Sequence, residues 1–169
     1  MKAFWIFLFV LAVWPWEAQS QQNVYLTMTG DVVGTWNAET DELVPDRVAV
    51  MRYLNEAYGQ EGSVVSWTMG KENGYGYLVA ALAYTNKEGE KALKWVAVPL
   101  APEQPDARFK QGDCVEHSCD GGCGGNILTI CNSCAFVKEN GKITGCKCND
   151  FGYCCHKIRT VEPCPGVKN

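Results

Sequence analysis

The chain has 169 residues and a net charge of −4, with 47% hydrophobic and 20% charged residues, a composition of one ordinary globular domain or two small ones. Acids outnumber bases between Gln21 and Arg108, and the two balance beyond Gln111. No clustered Lys/Arg face emerges to neutralise phosphates, which speaks against nucleic-acid binding and against docking on an anionic membrane.

The first segment, 1–20, reads as a secretory signal peptide. Lys2 supplies the positive start, Ala3 to Trp14 form an almost unbroken apolar run, and Ala18 and Ser20 are small residues two apart, as at a cleavage site. The run is too short for a membrane span, which needs about 20 apolar residues. The expected mature chain begins at Gln21, without a membrane span, in an extracellular or periplasmic setting.

Residues 21–98 predict an α+β domain, with one helix on a small antiparallel sheet. Val24, Leu26 and Met28 alternate with polar residues as a first strand. Residues 30–45 read as irregular, because Gly30, Gly34 and Asn37 interrupt any period. Asp46 caps a helix over Arg47 to Tyr58, with Val50, Met51, Leu54, Ala57 and Tyr58 on one face and Gly59 as a left-handed stop. A three-strand meander follows. Val65, Trp67 and Met69 alternate, and Asn73-Gly74 suits a positive-φ turn. Tyr75 to Tyr84 is apolar on both faces, as a central strand would be. Gly89 turns the chain into a last strand, Leu93 to Leu100.

Residues 99–111 predict a linker, since Pro99, Pro102 and Pro105 each restrict the backbone and remove a donor. Residues 112–169 form a cysteine-rich module. All ten cysteines lie in it: Cys114, Cys119, Cys123, Cys131, Cys134, Cys146, Cys148, Cys154, Cys155 and Cys164. An even, clustered set in an exported chain predicts disulfides, which replace the core that so few large apolar residues cannot build.

Adjacent Cys154 and Cys155 have Cα atoms about 3.8 Å apart, closer than the roughly 4.4–6.8 Å of a relaxed disulfide. They should take different partners. Cys146 and Cys148 should also diverge, because alternate residues of an extended segment share a face but not a partner.

A metal is the rival reading. Cys131, Cys134, Cys146 and Cys148 supply the four thiolates of a tetrahedral zinc site, although the second pair is C-x-C rather than the usual C-x2-C. Zinc is the cofactor on that alternative, and none is expected otherwise. Cys131-Asn132-Ser133-Cys134 lacks the strand-to-helix context of a thiol–disulfide catalyst.

Familiar catalytic motifs are missing from the sequence. The glycine-rich run from Asp120 to Asn126 lacks the lysine and hydroxyl of a phosphate loop. His117 and His156 stand near cysteines expected to be oxidised, and a disulfide sulfur is no nucleophile. Asp41, Glu42, Asp46, Glu88 and Glu90 fall in turns or on solvated faces. Trp67, Tyr75, Tyr77 and Trp95 fall on proposed strands, and those lying on the uncovered sheet face would form a sticky patch for a protein or glycan partner.

The strand–helix–meander order resembles the cystatin-like topology, which would imply inhibition of cysteine proteases. The inhibitory Gln-x-Val-x-Gly hairpin is replaced here by Met69-Gly70-Lys71-Glu72-Asn73-Gly74. The tail, with Cys131-x2-Cys134-Ala135-Phe136 and Gly145-Cys146-x-Cys148, resembles the ends of uncharacterised small secreted cysteine-rich bacterial proteins. That resemblance implies an envelope or extracellular setting and no particular activity. The function expected is a secreted, non-enzymatic interaction protein.

Overall fold

A computed structural model describes residues 23–28, 30–104, 106–110, 112–123 and 130–162. The expected signal peptide and Cys164 lie outside the described residues. Eleven elements follow in chain order: β1 (Asn23–Met28), β2 (Asp31–Asn37), β3 (Glu42–Pro45), α1 (Arg47–Tyr58), β4 (Ser63–Glu72), β5 (Tyr75–Thr85), β6 (Lys91–Pro102), β7 (Val115–Asp120), β8 (Cys134–Glu139), β9 (Lys142–Cys148) and β10 (Cys155–Thr160).

The α+β expectation, a helix on a small sheet, is corrected. Strand makes up 61% of the fold against 9% helix, and the sheet curls into a nearly closed barrel. Its six strands run β3-β2-β1-β6-β5-β4, all antiparallel, and α1 joins the two ends. Two of these strands, β2 and β3, fall where the sequence reads as irregular. Gly34 is the reason. A Cβ there would stand 2.6 Å from the Val44 carbonyl oxygen, so glycine lets β2 approach β3 while breaking the hydrophobic pattern. The cystatin-like topology falls with this correction, because the helix bridges the ends of a barrel rather than covering a sheet face.

The helix bounds match those expected. Asp46 accepts hydrogen bonds from the Val48 and Ala49 amides, both at 3.0 Å, satisfying donors that a helix start leaves unpaired. Gly59 does not take the left-handed conformation. Its φ is −58°, and its amide bonds the Asn55 carbonyl at 2.9 Å. Val50, Leu54 and Tyr58 recur at four-residue spacing and drop into the barrel against Leu26, Trp36, Leu78, Leu82 and Val98. Fully buried side chains from β1, β2, β5, β6 and α1 meet in this core.

β5 is apolar on both faces because both faces are covered. Leu78, Ala80 and Leu82 point into the barrel. Tyr77 and Val79 point outward and lie under Phe136 and Ile143 of the tail.

Residues 99–102, placed by the sequence reading in a linker, continue β6. Leu93 accepts from the Gly121 amide, and the Glu103 amide reaches the Tyr25 carbonyl. Odd-numbered residues of β6 therefore direct their backbone groups to the edge shared by β7 and β1. β7 pairs there with Lys94 to Ala97, and β1 with Ala101 and Pro102. Pro99 faces the interval between them, where no ladder donor is needed. Pro102 faces the other way, beyond the last β5 pairing at Leu100. Phe109 then returns to the core, 2% exposed.

The tail grows from the barrel wall. β7 pairs β6 and β10 pairs β7, while β8 and β9 form a separate hairpin over the outer face. Its tip is an Asn140-Gly141 turn with φ of 52° and 85°, matching Asn73-Gly74 at 50° and 88°.

Candidate functional site

Four disulfides join the described tail: Cys119–Cys146, Cys123–Cys155, Cys131–Cys148 and Cys134–Cys154. Cys114 is also disulfide-bonded. Cys154 and Cys155 take different partners, as adjacency requires, and so do Cys146 and Cys148. The bridged residues stand 17 to 32 apart in sequence, and loops of that order each stabilise by about 3 kcal/mol through the unfolded chain. Cys119–Cys146 fastens β9 to β7, so the hairpin is bolted onto the barrel wall.

The four thiols of the sequence-level zinc set do not converge. Cys146 is tied to Cys119 in β7, whereas Cys131 and Cys148 share a bond and Cys134 goes to Cys154.

The two histidines meet each other rather than a cysteine nucleophile. His117 Nδ1 lies 3.1 Å from His156 Nε2, and the rings stack with centroids 5.3 Å apart. One nitrogen must donate and the other accept, so the contact fails when both carry a proton. Burial, and then His156, hold His117 below its ordinary range, while Asp113 acts in the opposite direction. A lowered folded value means that the unfolded chain binds the extra proton first. This contribution is complete above about pH 6.5, the ordinary histidine value, and is lost as pH falls through the folded value. Thermal melts over that range should show a fall on acidification that His117→Gln flattens. An unchanged slope in the variant would remove His117 as the cause.

Of the carboxylates singled out in the sequence, Asp41 and Asp46 have structural partners, whereas Glu90 Oε2 is buried without one among the described residues. Asp41 accepts from Trp36 Nε1 at 2.9 Å and pairs with Lys71; these hydrogen bonds lower its pKa. Asp46 caps α1. Glu42 is exposed on β3. Glu88 and Glu90 lie in the β5–β6 turn, where both amides donate to Asn86. Of the glycine-rich run, residues 124–126 lie outside the described residues, and Asp120 accepts from the Gly122 amide and the Tyr84 hydroxyl.

The four aromatics do not share a face. Tyr77 is 5% exposed beneath the hairpin. Tyr75 packs beside it, Trp95 packs on the cysteine cluster, and Trp67 packs against the barrel core.

What the sequence reading missed is the seam of the barrel. Among the described residues, β3 and β4 stand side by side without a ladder, and each pairs on one edge only. A groove of about 510 Å³ follows this seam, lined by Leu43, Pro45, Arg47, Met51, Trp67 and Met69 among others. The Asp41–Lys71 pair ties its far end. Val65, which lines it, is 61% exposed. Alternation gives β4 as a strand, but nothing local says that one edge stays unpaired.

Filled barrel, bolted hairpin and open seam together define a disulfide-stapled antiparallel β-barrel protein. Comparison with protein-family models, with curated proteins and with solved structures finds no match.

Proposed function

We propose that the chain is an exported, non-catalytic binding protein that takes an extended apolar segment of a partner protein along the open edge of β4. The edge of this ten-residue strand that no described strand pairs with carries the reading. Its free N–H and C=O groups offer main-chain hydrogen bonds, and the adjoining groove accepts alternate side chains of an added strand. The barrel interior supports a surface site, because Leu26, Val33, Leu78 and Leu82 fill it without exposure, leaving binding to the outside. Disulfides among the described tail residues favour an oxidising compartment, and no helix among the described residues is long and apolar enough to cross a membrane.

Panning a displayed random-peptide library against the full chain tests the idea. Selected peptides should be rich in alternating apolar residues and should protect the amides of residues 64–70 from exchange. Val65→Lys, at an exposed position, should abolish enrichment without changing the melting temperature. Val32→Lys, exposed on β2, should bind as the wild type does. Peptides that bind Val65→Lys equally well, or protect another surface, would overturn the assignment.

A further inference from the structure

Beneath the β8–β9 hairpin two disulfides lie against each other. The Sγ atoms of Cys131, Cys134 and Cys154 all fall within 4.8 Å of one another, and Cys148 is bonded to Cys131. From these positions we propose that the reduced tail binds one zinc ion through Cys131, Cys134, Cys148 and Cys154. This set replaces Cys146 of the sequence-level alternative with Cys154, and the site is independent of the β3–β4 seam.

Zinc–thiolate bonds of about 2.3 Å in a tetrahedron put sulfurs about 3.8 Å apart. Bonded sulfurs of the oxidised form must therefore part by roughly 2 Å, the Cys131, Cys134 and Cys154 sulfurs that are not bonded to each other close by at most about 1 Å, and Cys148, which lies beyond 4.8 Å from Cys134 and Cys154, swings further toward them by side-chain rotation. The backbone is placed for this without the two bonds that open. Cys134 and Cys148 are register partners in the β8–β9 ladder. The Cys131 amide donates to the Gly121 carbonyl at 2.8 Å. A bridge between Ile130 and Tyr153 holds the segments that carry Cys131 and Cys154 side by side.

Asp150 adds an independent observation. Its Oδ1 lies 2.8 Å from Cys148 Sγ and 3.1 Å from Cys131 Sγ. Bonded sulfurs carry no proton, so neither contact is a hydrogen bond from sulfur. A carboxylate aimed at two sulfurs in this way suits a cation held among them, or thiols that donate to it, and both belong to the reduced form.

The chemistry balances with a dithiol as reductant. A dithiol thiolate attacks the partly exposed Cys148 or Cys154 sulfur and expels Cys131 or Cys134 as a thiolate. The second dithiol sulfur then releases the mixed disulfide, and the dithiol leaves oxidised. Two dithiols supply four electrons and four protons to the two bonds. Zinc(II) then displaces those four protons to give a four-thiolate complex of net charge −2.

The test reduces the full chain anaerobically with a phosphine and titrates it with cobalt(II) and then zinc(II). The expected result is one metal per chain, with the visible absorption of tetrahedral cobalt–thiolate that zinc bleaches. Cys154→Ser should weaken zinc binding by more than about tenfold, at least what loss of an outer-shell partner costs, and Cys146→Ser should leave it within about twofold. Absence of the tetrahedral spectrum in the reduced wild type overturns the proposal, as does a Cys146→Ser variant that loses the spectrum while Cys154→Ser keeps it. If a serine variant fails to fold, metal-protected alkylation of the wild type decides. Zinc must shield Cys131, Cys134, Cys148 and Cys154, and shielding of Cys146 in place of Cys154 refutes the ligand set.

Discussion

Trp36→Ala is expected to cost about 3–5 kcal/mol of stability, the range for truncating a large aromatic in a packed core. The ring is 1% exposed and joins four parts of the chain. It meets Phe109 edge-on at 5.4 Å, and its Nε1 donates to Asp41 in the β2–β3 turn. Lys71 of β4 lies over its face, 4.8 Å from the ring centroid. The substitution leaves a cavity at the end of the seam and removes a cation–π contact and a hydrogen bond together. Trp36→Phe keeps most of the packing and should recover more than half of the loss. Urea unfolding of both variants measures the difference, and a cost under about 1 kcal/mol for the alanine variant would show that the ring does not anchor the seam.

The second large effect is expected from Cys119→Ser combined with Cys146→Ser. These residues stand 27 apart in sequence, and opening a loop of that order removes about 3 kcal/mol. Cys119 is fully buried, so the variant also leaves two hydroxyls against Trp95 and Phe136, which adds a desolvation cost. The loss should be local. Amides of β8 and β9 should exchange faster, while those of β5 and the barrel half of β6 keep their protection. Uniform loss of protection across the barrel would show that the hairpin is an integral part of it rather than a bolted cover.

How much was legible follows from which forces are local. The helix was, because Asp46, the four-residue apolar spacing and the end at Tyr58 act within one turn of the chain. The Asn73-Gly74 turn was, because its positive φ values select those residues. The divergence of Cys154 from Cys155 was, because it needs only bond geometry. β2 and β3 were not, since Gly34 serves a close strand contact that only the folded sheet reveals. Nor was the run from Pro99 to Pro102, where proline normally ends a strand and the pairing gap that tolerates it is set by β7 and β1. The seam and the Cys131–Cys154 neighbourhood depend on which distant segments meet, and spacing does not encode that. Cys146 and Cys154 are equally plausible ligands in one dimension, and only the placement of β7 against β9 separates them.

β6 has a consequence for how the chain can be cut. One edge of this strand serves two neighbours in succession, the tail at Lys94 to Ala97 and the N-terminus at Ala101 and Pro102. A polypeptide ended after Lys110 would retain every barrel strand yet bare the first of those stretches, with Trp95 and Tyr77 stripped of their cover. Such a raw margin recruits any strand within reach, including that of a sister molecule. The cysteine-bearing half thus covers a strand margin that the half without cysteine would otherwise leave bare.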